Sequence, residues 1–315
     1  MTMMVTGAAG FVGSHLCEAL LDEGIDVLAV DAFTDFYPRS AKEANLAPLL
    51  GRPGFSFVEA DLADVDLRAI LDGAEVVFHL AGQPGVRPSW GREFGEYVRH
   101  NILATQCLLE AVKGSSLRKL VYASSSSVYG DAESYPTAET LRPRPVSPYG
   151  VTKLAAEHLC ELYRANFGLP TASLRLFTVY GPRQRPDMAF SRLVGAAVND
   201  DPFVLYGDGE QTRDFTFVGD VTRAMRDAAA SGWCGVANIG GGARTSMNEV
   251  LALVEAICGP IRVTREPRAH GDVRHTAADT SVAASAFGYA PRTGLAEGLR
   301  AMVMWERGRD RAGVP

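Results

Sequence analysis

The sequence predicts an α/β fold: a doubly wound parallel sheet of the Rossmann type with a smaller, irregular α/β C-terminal domain. In the first half, short apolar segments alternate with helical patterns, which is typical of a parallel sheet covered by helices on both faces. After about residue 177, glycine and proline cluster and the elements shorten. We therefore expect one domain over residues 1–177, with returns to its sheet near 215–240, and a second mainly over 178–315.

The elements of the first domain follow from the order of these patterns. Apolar segments predict strands at residues 3–6, 25–31, 55–61, 75–81 and 119–125. Helical patterns lie at 11–24, where Gly24 marks the end, and at 65–72, 90–112 and 148–167. Right-handed crossovers between parallel strands then give the doubly wound sheet.

Composition excludes several classes of protein. The 315 residues carry a formal net charge of -6 without a basic block, which argues against a nucleic-acid partner. Apolar runs stay well short of the roughly 20 residues of a membrane span, and the N-terminus has no leader pattern. We therefore expect a cytoplasmic protein without membrane contact. The five cysteines and six histidines lack metal-ligand spacing, so we expect reduced thiols and no metal.

A glycine turn between the first strand and the first helix predicts a dinucleotide site. Gly7, Gly10 and Gly13 allow close backbone approach, and the helix N-terminus offers unpaired N–H groups to a pyrophosphate. Asp31, at the end of the second strand, can accept hydrogen bonds from a ribose and would repel a 2′-phosphate. We therefore expect NAD rather than NADP as the cofactor.

Further cofactor contacts are expected where other strands of the sheet end. Asp61 and Leu62 follow the third strand and suit contacts with the adenine, although Asp61 could equally be a helix N-cap. The full set of predicted cofactor contacts is Gly7, Gly10, Phe11, Val12, Gly13, Asp31, Asp61, Leu62, Leu80, Ala81, Tyr149 and Lys153.

A tyrosine and a lysine share one face at the start of the helix over 148–167. Ser147 is a good N-cap and Pro148 a good first helical residue, so Tyr149 and Lys153 lie one turn apart. A nearby ammonium lowers the pKa of a phenol, which would let Tyr149 exchange a proton near neutral pH. The serine run 124–127 ends the fifth strand at the same sheet edge and supplies hydroxyls.

These motifs together resemble the extended short-chain dehydrogenase/reductase family, and within it the nucleotide-sugar epimerases and dehydratases. The resemblance runs over nearly the whole chain. It rests on TGAAGFVGSHL, ADL at 60–62, FHLAGQPGVR at 78–87, NILAT at 101–105, SSSSVYG, SPYGVTKLAAE, RLFTVYGPRQRPDMAF at 175–190, YGDGEQTRDFTFVGDV at 206–221, NIGGG at 238–242 and GDVRHTAAD at 271–279. Ala104 and Gly82 are small departures from the family pattern.

The resemblance implies a reaction. A hydride leaves sugar C4 for bound NAD while Tyr149, as the base, takes the hydroxyl proton; Ser125 matches the catalytic Ser/Thr, and Lys153 binds the nicotinamide ribose. Sugar 4,6-dehydratases carry an Asp-Glu pair where this chain has Ser126 and Ser127. Dehydration is therefore disfavoured, and epimerisation through a 4-keto intermediate is expected.

The segment around Thr178 is most similar to the branch of UDP-glucuronate 4-epimerases, which interconvert UDP-glucuronate and UDP-galacturonate. Small hydroxyl donors at Ser126, Ser127 and Thr178 could hold a C5 carboxylate, although Thr178 could also be packing. Arginines at motif positions resemble pyrophosphate ligands, and Tyr206 lies near the uracil or in strand packing. The predicted substrate contacts are Gly85, Arg87, Ser126, Ser127, Thr178, Arg185, Met188, Tyr206, Arg213 and Arg274.

Alternatives stay open at this point. The same site could serve a UDP-glucose or other UDP-hexose 4-epimerase, or a UDP-glucuronate decarboxylase, because a 4-keto uronate loses CO₂ easily. A dinucleotide-binding sensor is disfavoured by the intact Ser125, Tyr149 and Lys153. The resemblance also implies a homodimer built from the helices at 90–112 and 148–167, whose extra apolar positions are Ile102, Leu103, Leu108, Leu159 and Leu162.

Overall fold

The computed structural model describes residues 1–267 and 273–312, so Gly271 and Asp272 of the motif GDVRHTAAD lie outside the described residues. The strands are β1 Thr2–Thr6, β2 Asp26–Asp31, β3 Phe55–Glu59, β4 Ala74–His79, β5 Lys119–Ser125, β6 Thr171–Leu176, β7 Val179–Tyr180, β8 Phe203–Tyr206, β9 Thr212–Asp214, β10 Thr216–Phe217, β11 Gly235–Ile239, β12 Arg244–Ser246 and β13 Val263–Glu266. The α-helices are α1 Phe11–Asp22, α2 Arg39–Leu46, α3 Leu67–Ile70, α4 Phe94–Tyr97, α5 Ala104–Val112, α6 Pro148–Phe167, α7 Ala189–Asn199, α8 Val218–Ala230, α9 Met247–Cys258, α10 Ser281–Phe287 and α11 Leu295–Ala312.

Seven strands form one parallel sheet in the order β3-β2-β1-β4-β5-β6-β11. The chain first builds outward from β1 to β3 and then crosses to β4 and builds the other way. The strand order therefore reverses between β1 and β4, which opens a crevice at their carboxyl ends where ligands bind in such sheets. The predicted doubly wound Rossmann fold is confirmed.

Alternating side chains of the strands build a core on each face of the sheet. Met3 and Val5 of β1 pack in one core with α1 and α8, while Met4 between them packs in the other with α5 and α6. Both faces of the sheet are thus apolar and covered by helices, which explains the continuous apolar strands in the sequence.

Elements from the second half of the chain take part in both the sheet and a separate core. Strand β11 pairs with β6, and α8 packs on the sheet through Val221 and Met225. A third core joins α7, α9 and α11 through residues such as Leu193, Val250 and Leu299. The division of the chain at residue 177 stays a prediction. In the part of the chain described, no helix is long and apolar enough to span a membrane.

The sequence predicts one long helix at 90–112, but the structure divides this region into several helical segments. A 3-10 turn over Gly91–Glu93 precedes α4, and a π-helical segment over Val98–Leu103 separates α4 from α5. The reason lies in Asn101, which is buried and uses its side chain to bind the backbone N–H and C=O of Gln83. Widened π turns of this kind commonly occur at functional sites.

Candidate active site

The carboxyl edge of the sheet opens into a cavity of ≈ 460 Å³ that brings the separate sequence motifs together. Every predicted cofactor contact lines it. It is also lined by the following residues predicted from the sequence: Ser125, Gly85, Ser126, Ser127, Thr178, Arg185, Met188 and Arg213. Three predicted substrate contacts, Arg87, Tyr206 and Arg274, do not line this cavity.

The glycine turn is packed so tightly that side chains cannot be added to it. Gly7 has φ +70, and a Cβ there would lie 2.7 Å from the Ala81 nitrogen. A Cβ on Gly13 would overlap the Gly7 carbonyl oxygen. The turn thus brings the N-terminus of α1 against the end of β4 with its backbone exposed to the cavity. This geometry fits the pyrophosphate of a dinucleotide.

Asp31 is a buried carboxylate held by the backbone at the end of β2. Its oxygens accept hydrogen bonds from the N–H groups of Ala9, at 3.0 Å, and Phe33, at 2.8 Å. Burial raises the pKa of Asp31, and the charge of Lys42 opposes that shift. The Lys42 ammonium lies 4.0 Å from Asp31 and donates to the Thr34 carbonyl oxygen. The carboxylate is therefore fixed where the sequence expects the ribose of a cofactor.

Asp61 lines the cavity but does not cap a helix. One of its oxygens accepts from the Ala63 N–H at 2.9 Å, and the other pairs with Arg99 at 3.0 Å. The N-cap of α3 is Asp66, which accepts from the Arg68 N–H. Of the two interpretations left open by the sequence, the helix cap is wrong.

Ser125 and Tyr149 meet because α6 approaches the serine run very closely. Ser147 caps α6 by accepting from the Gly150 N–H at 3.1 Å. A Cβ on Gly150 would lie 2.5 Å from the Ser127 carbonyl oxygen, so only glycine allows this contact. The Ser125 side chain lies close enough to Tyr149 to lower the pKa of its phenol. The glycine of SPYG is the sequence signal for this approach.

The sequence predicts a lowered pKa for Tyr149, but in the structure this pKa is raised. Burial is the largest cause, while the hydrogen bond with Ser125 and the charge of Arg185 act in the opposite direction. Lys153 is itself buried, and burial lowers its pKa to about 8. The expectation neglected burial, which disfavours the phenolate and the ammonium alike.

The small donors expected at the sugar end lie together in the cavity. Ser126 and Ser127 form a 3-10 turn in which the Ser127 N–H donates to the Ser125 hydroxyl at 3.1 Å. Thr178 lines the same cavity between β6 and β7 and accepts from the Thr216 N–H through its carbonyl oxygen. Backbone contacts thus hold all three residues.

The four predicted arginines are held in different ways. Arg185 lines the cavity while its guanidinium pairs with Asp187 through two contacts of 3.0 Å. Arg213 donates to the carbonyl oxygens of Val273 and Thr212. The other two lie outside the cavity: the Arg87 guanidinium is 4.7 Å from the ring centroid of Tyr206, and Arg274 forms an exposed ion pair with Asp208.

Tyr97 and Phe36 are residues at the site that the sequence argument missed. Tyr97 is fully buried, donates to the carbonyl oxygens of Pro84 and Gly85, and packs edge-on against the Tyr149 ring. Phe36 lines the cavity, and its ring would lie 2.8 Å from a Cβ on Gly85, which has φ +96. Neither belongs to a motif, so no local sequence signal marks them.

The fold and the site define a dinucleotide-binding protein of the Rossmann type with a serine, a tyrosine and a lysine at the carboxyl edge of its sheet. The family model for the NAD dependent epimerase/dehydratase family matches residues 3–240. The chain belongs to this family, as its motifs indicated.

Individual relatives are similar to this chain over nearly its whole length. An uncharacterised UDP-glucose epimerase of Bacillus subtilis, YtcB, is 44% identical over 303 residues, which cover 95% of this chain and 96% of the relative. The crystal structure of UDP-glucuronic acid 4-epimerase from Bacillus cereus, in complex with UDP-glucuronic acid and NAD, is 43% identical with a TM-score of 0.95, covering 98% of this chain and 99% of that chain.

A third relative, MoeE5, has been solved with NAD and two different nucleotide sugars. Its complex with UDP-glucuronic acid is 44% identical with a TM-score of 0.89, and its complex with UDP-glucose is 44% identical with a TM-score of 0.88. Each covers 98% of this chain and 99% of that chain. MoeE5 has thus been solved with the nucleotide of a uronate and with that of a neutral hexose.

Proposed function

We propose that the protein is an NAD-dependent 4-epimerase that interconverts UDP-glucuronate and UDP-galacturonate through a 4-keto intermediate. The observation that carries this proposal is the single cavity in which the glycine turn, Ser125, Tyr149, Lys153 and the small hydroxyl donors meet. The relatives solved with UDP-glucuronic acid and NAD support it. NAD held along the glycine turn, Asp31 and Lys153 would supply the hydride acceptor, and in its reduced form the hydride donor, for the sugar C4 position.

Tyr149 is assigned the proton transfer at the sugar C4 hydroxyl. Its hydrogen bond with Ser125 and the nearby charge of Arg185 both favour the phenolate against the effect of burial. Lys153 lies one helical turn away on the same face of α6 and is assigned to the ribose of the cofactor. Ser125 shares the proton between the sugar and Tyr149, because a hydroxyl both donates and accepts.

The uronate carboxylate is assigned to Ser126, Ser127 and Thr178. Neutral hydroxyls can hold a carboxylate while the sugar turns between the two hydride transfers. A cation fixed to the carboxylate would resist that rotation more strongly, because charge-assisted hydrogen bonds are about twice as strong as neutral ones. The pairing of Arg185 with Asp187 partly neutralises this arginine, which lines the cavity.

A product assay tests the proposal directly. The purified protein is incubated with UDP-glucuronate, the nucleotide sugars are separated, and the denatured protein is assayed for released NAD. We expect UDP-galacturonate as the product and NAD bound without addition. UDP-pentose as the main product would instead identify a decarboxylase, and the absence of any conversion would refute the proposed activity.

A UDP-hexose 4-epimerase is the second candidate function. It is favoured by the neutral donors at the sugar end and by the relatives associated with UDP-glucose. Parallel incubation with UDP-glucose at equal concentration separates the two. We expect kcat/KM to be higher for UDP-glucuronate, and a higher value for UDP-glucose would make the second candidate the main activity.

We also infer a homodimer, for which α5, α6 and the π-helical segment offer an apolar surface. Leu103 is 44% exposed and Leu162 is 55% exposed, with Val98 and Val151 exposed nearby in sequence. Leu108 is fully buried in the core and takes no part. Light scattering should give twice the chain mass at micromolar concentration, and Leu162→Lys should shift it toward one chain. A cytoplasmic location is part of the proposal and rests on the sequence alone.

A further inference from the structure

The ammonium of Lys153 lies over an aromatic ring that none of the assigned roles uses. Its Nζ is 4.5 Å from the ring centroid of Tyr122, which stands on β5 three residues before Ser125. Tyr122 is 1% exposed and Lys153 is 6% exposed. A cation within about 6 Å of an aromatic face is attracted by the ring quadrupole, and the attraction is strongest when water is excluded.

The other groups around Lys153 do not neutralise its positive charge, so the Tyr122 ring is the nearest group that can stabilise that charge. On its own helix it faces Tyr149, Glu157 and Cys160, and β4 presents His79. Burial and the charge of Lys153 lower the pKa of His79 to about 3, so the imidazole is neutral and neither repels nor neutralises the ammonium.

Glu157 lies one turn beyond Lys153, but its carboxylate is already bound. Arg175 donates to both of its oxygens, at 3.0 and 2.6 Å, and the Ser124 hydroxyl donates to it at 2.6 Å. Within residues 1–267 and 273–312, no carboxylate lies within ion-pair distance of the Lys153 ammonium. The charge of Lys153 therefore depends on the Tyr122 ring and on more distant groups.

We propose that Tyr122 is a positioning residue that holds the Lys153 ammonium over the face of its ring and keeps it charged in the buried site. The ring is the part of Tyr122 that acts. The hydroxyl is buried and finds no hydrogen-bond partner among the residues described. Phenylalanine should therefore replace Tyr122 without loss, whereas an aliphatic residue should not.

The effect on the reaction rests on the proposed function. There, Lys153 is assigned to the cofactor ribose, one helical turn from Tyr149. Burial is the cause that lowers the pKa of Lys153 to about 8, against the opposing effects of Cys160 and Glu157. Loss of the ring would lower it further and so reduce the charged fraction of Lys153 near neutral pH.

The test measures the titration of Lys153 directly. The sequence contains four lysines, Lys42, Lys113, Lys119 and Lys153, so the protein labelled with ¹³C at the lysine Cε gives a simple NMR spectrum. The signal of Lys153 is assigned by its absence in Lys153→Arg. The wild type, Tyr122→Phe and Tyr122→Leu are titrated with the cofactor retained from purification, and no substrate is needed.

We expect Tyr122→Phe to keep the wild-type midpoint of Lys153 and Tyr122→Leu to lower it by about one pH unit. Because Leu can also disturb packing, phenylalanine analogues with one and three ring fluorines are placed at position 122. They keep the shape and weaken the ring quadrupole, so the midpoint should fall stepwise with fluorine number. A merely structural role would leave this series unchanged.

Midpoints that do not respond to fluorination would overturn the proposal, whether or not the leucine variant shifts. The pH–rate profile for UDP-glucuronate provides the second measurement. Its alkaline limb should move to lower pH by the same amount as the Lys153 midpoint. If the wild type converts no UDP-sugar, the proposed function fails, but the titration still decides the role of Tyr122.

Discussion

The floor of the cavity and its arginine rim are built on different physical principles. On the floor, Ser125 and Lys153 are buried, and the backbone and neighbouring rings hold the site. At the rim, Arg185 pairs with the half-exposed Asp187, while Arg274, which does not line the cavity, pairs with the exposed Asp208. Exposed ion pairs contribute only about 0–1 kcal/mol, so the rim can exchange partners at small cost.

This difference indicates that the floor holds the reacting groups in fixed positions, whereas the rim binds the substrate with groups that can change partners. Groups that transfer protons must be placed before the substrate arrives, since the ordering of side chains during the reaction would add to the barrier. Groups that bind a charged diphosphate can leave a carboxylate partner for the substrate. Substitutions on the floor should therefore change rates strongly, while those at the rim should change affinity slightly.

The largest effect is expected for Tyr149→Phe on the floor. The ring and its packing against Tyr97 remain, so folding and NAD retention should be preserved. Loss of the proton-transferring hydroxyl should lower kcat by roughly 10²–10⁴. Steady-state kinetics with UDP-glucuronate provide the measurement. Turnover close to that of the wild type would mean that another group moves the proton.

The next effect concerns the glycine turn. In Gly13→Ala the new methyl group would overlap the Gly7 carbonyl oxygen, whereas Gly95→Ala meets nothing within 4 Å. We expect Gly13→Ala to lower the free energy of unfolding by about 1–3 kcal/mol and to lose NAD on purification. Gly95→Ala is the matched control and should keep both. The measurements are thermal unfolding and the NAD content of the denatured protein. Equal results for Gly13→Ala and Gly95→Ala would mean that the turn is not rigid.

A smaller effect, on product distribution, is expected at Thr178. Thr178→Ala removes a hydroxyl donor, which should weaken uronate binding by about 0.5–3 kcal/mol and raise the share of 4-keto-pentose formed by CO₂ loss. Thr178→Ser keeps the donor and should stay close to the wild type. The measured quantity is the ratio of decarboxylated product to epimer. The same ratio and affinity in all three proteins would assign Thr178 to packing alone.

The smallest effect is expected at the rim. Asp187→Asn removes the charge that neutralises Arg185, so the KM for the anionic UDP-sugar should fall by a factor of about 2–5, equivalent to less than about 1 kcal/mol. Asp208→Asn is the control, because its partner Arg274 does not line the cavity. A tenfold change in kcat for either variant would contradict the separation of rim and floor.

Much of the site could be predicted because its motifs are local. The glycine turn, the cap at Ser147 and the spacing of Tyr149 and Lys153 each depend on a few adjacent residues. The parallel sheet then places the ends of distant strands at one edge, so that motifs far apart in sequence meet there. These features needed only periodicity, backbone geometry and strand order.

The features that the sequence did not reveal depend on contacts between distant segments. Tyr97 contacts the carbonyl oxygens of Pro84 and Gly85 and the ring of Tyr149, all of which are distant from it in the sequence. Arg274 pairs with Asp208, a residue of a different motif far away in the sequence. Such contacts follow from the packing of the whole chain rather than from a local pattern.

By itself, the sequence determined the fold class, the dinucleotide turn and the residues gathered at the carboxyl edge, because backbone requirements and hydrophobic periodicity are written locally. Only the tertiary structure decided the protonation properties of the site. Burial raises the pKa of Tyr149 and lowers that of Lys153 to about 8, against the expectation from their spacing alone. The free energy of a charge depends on the surrounding water and dipoles, and these are set by the folded chain.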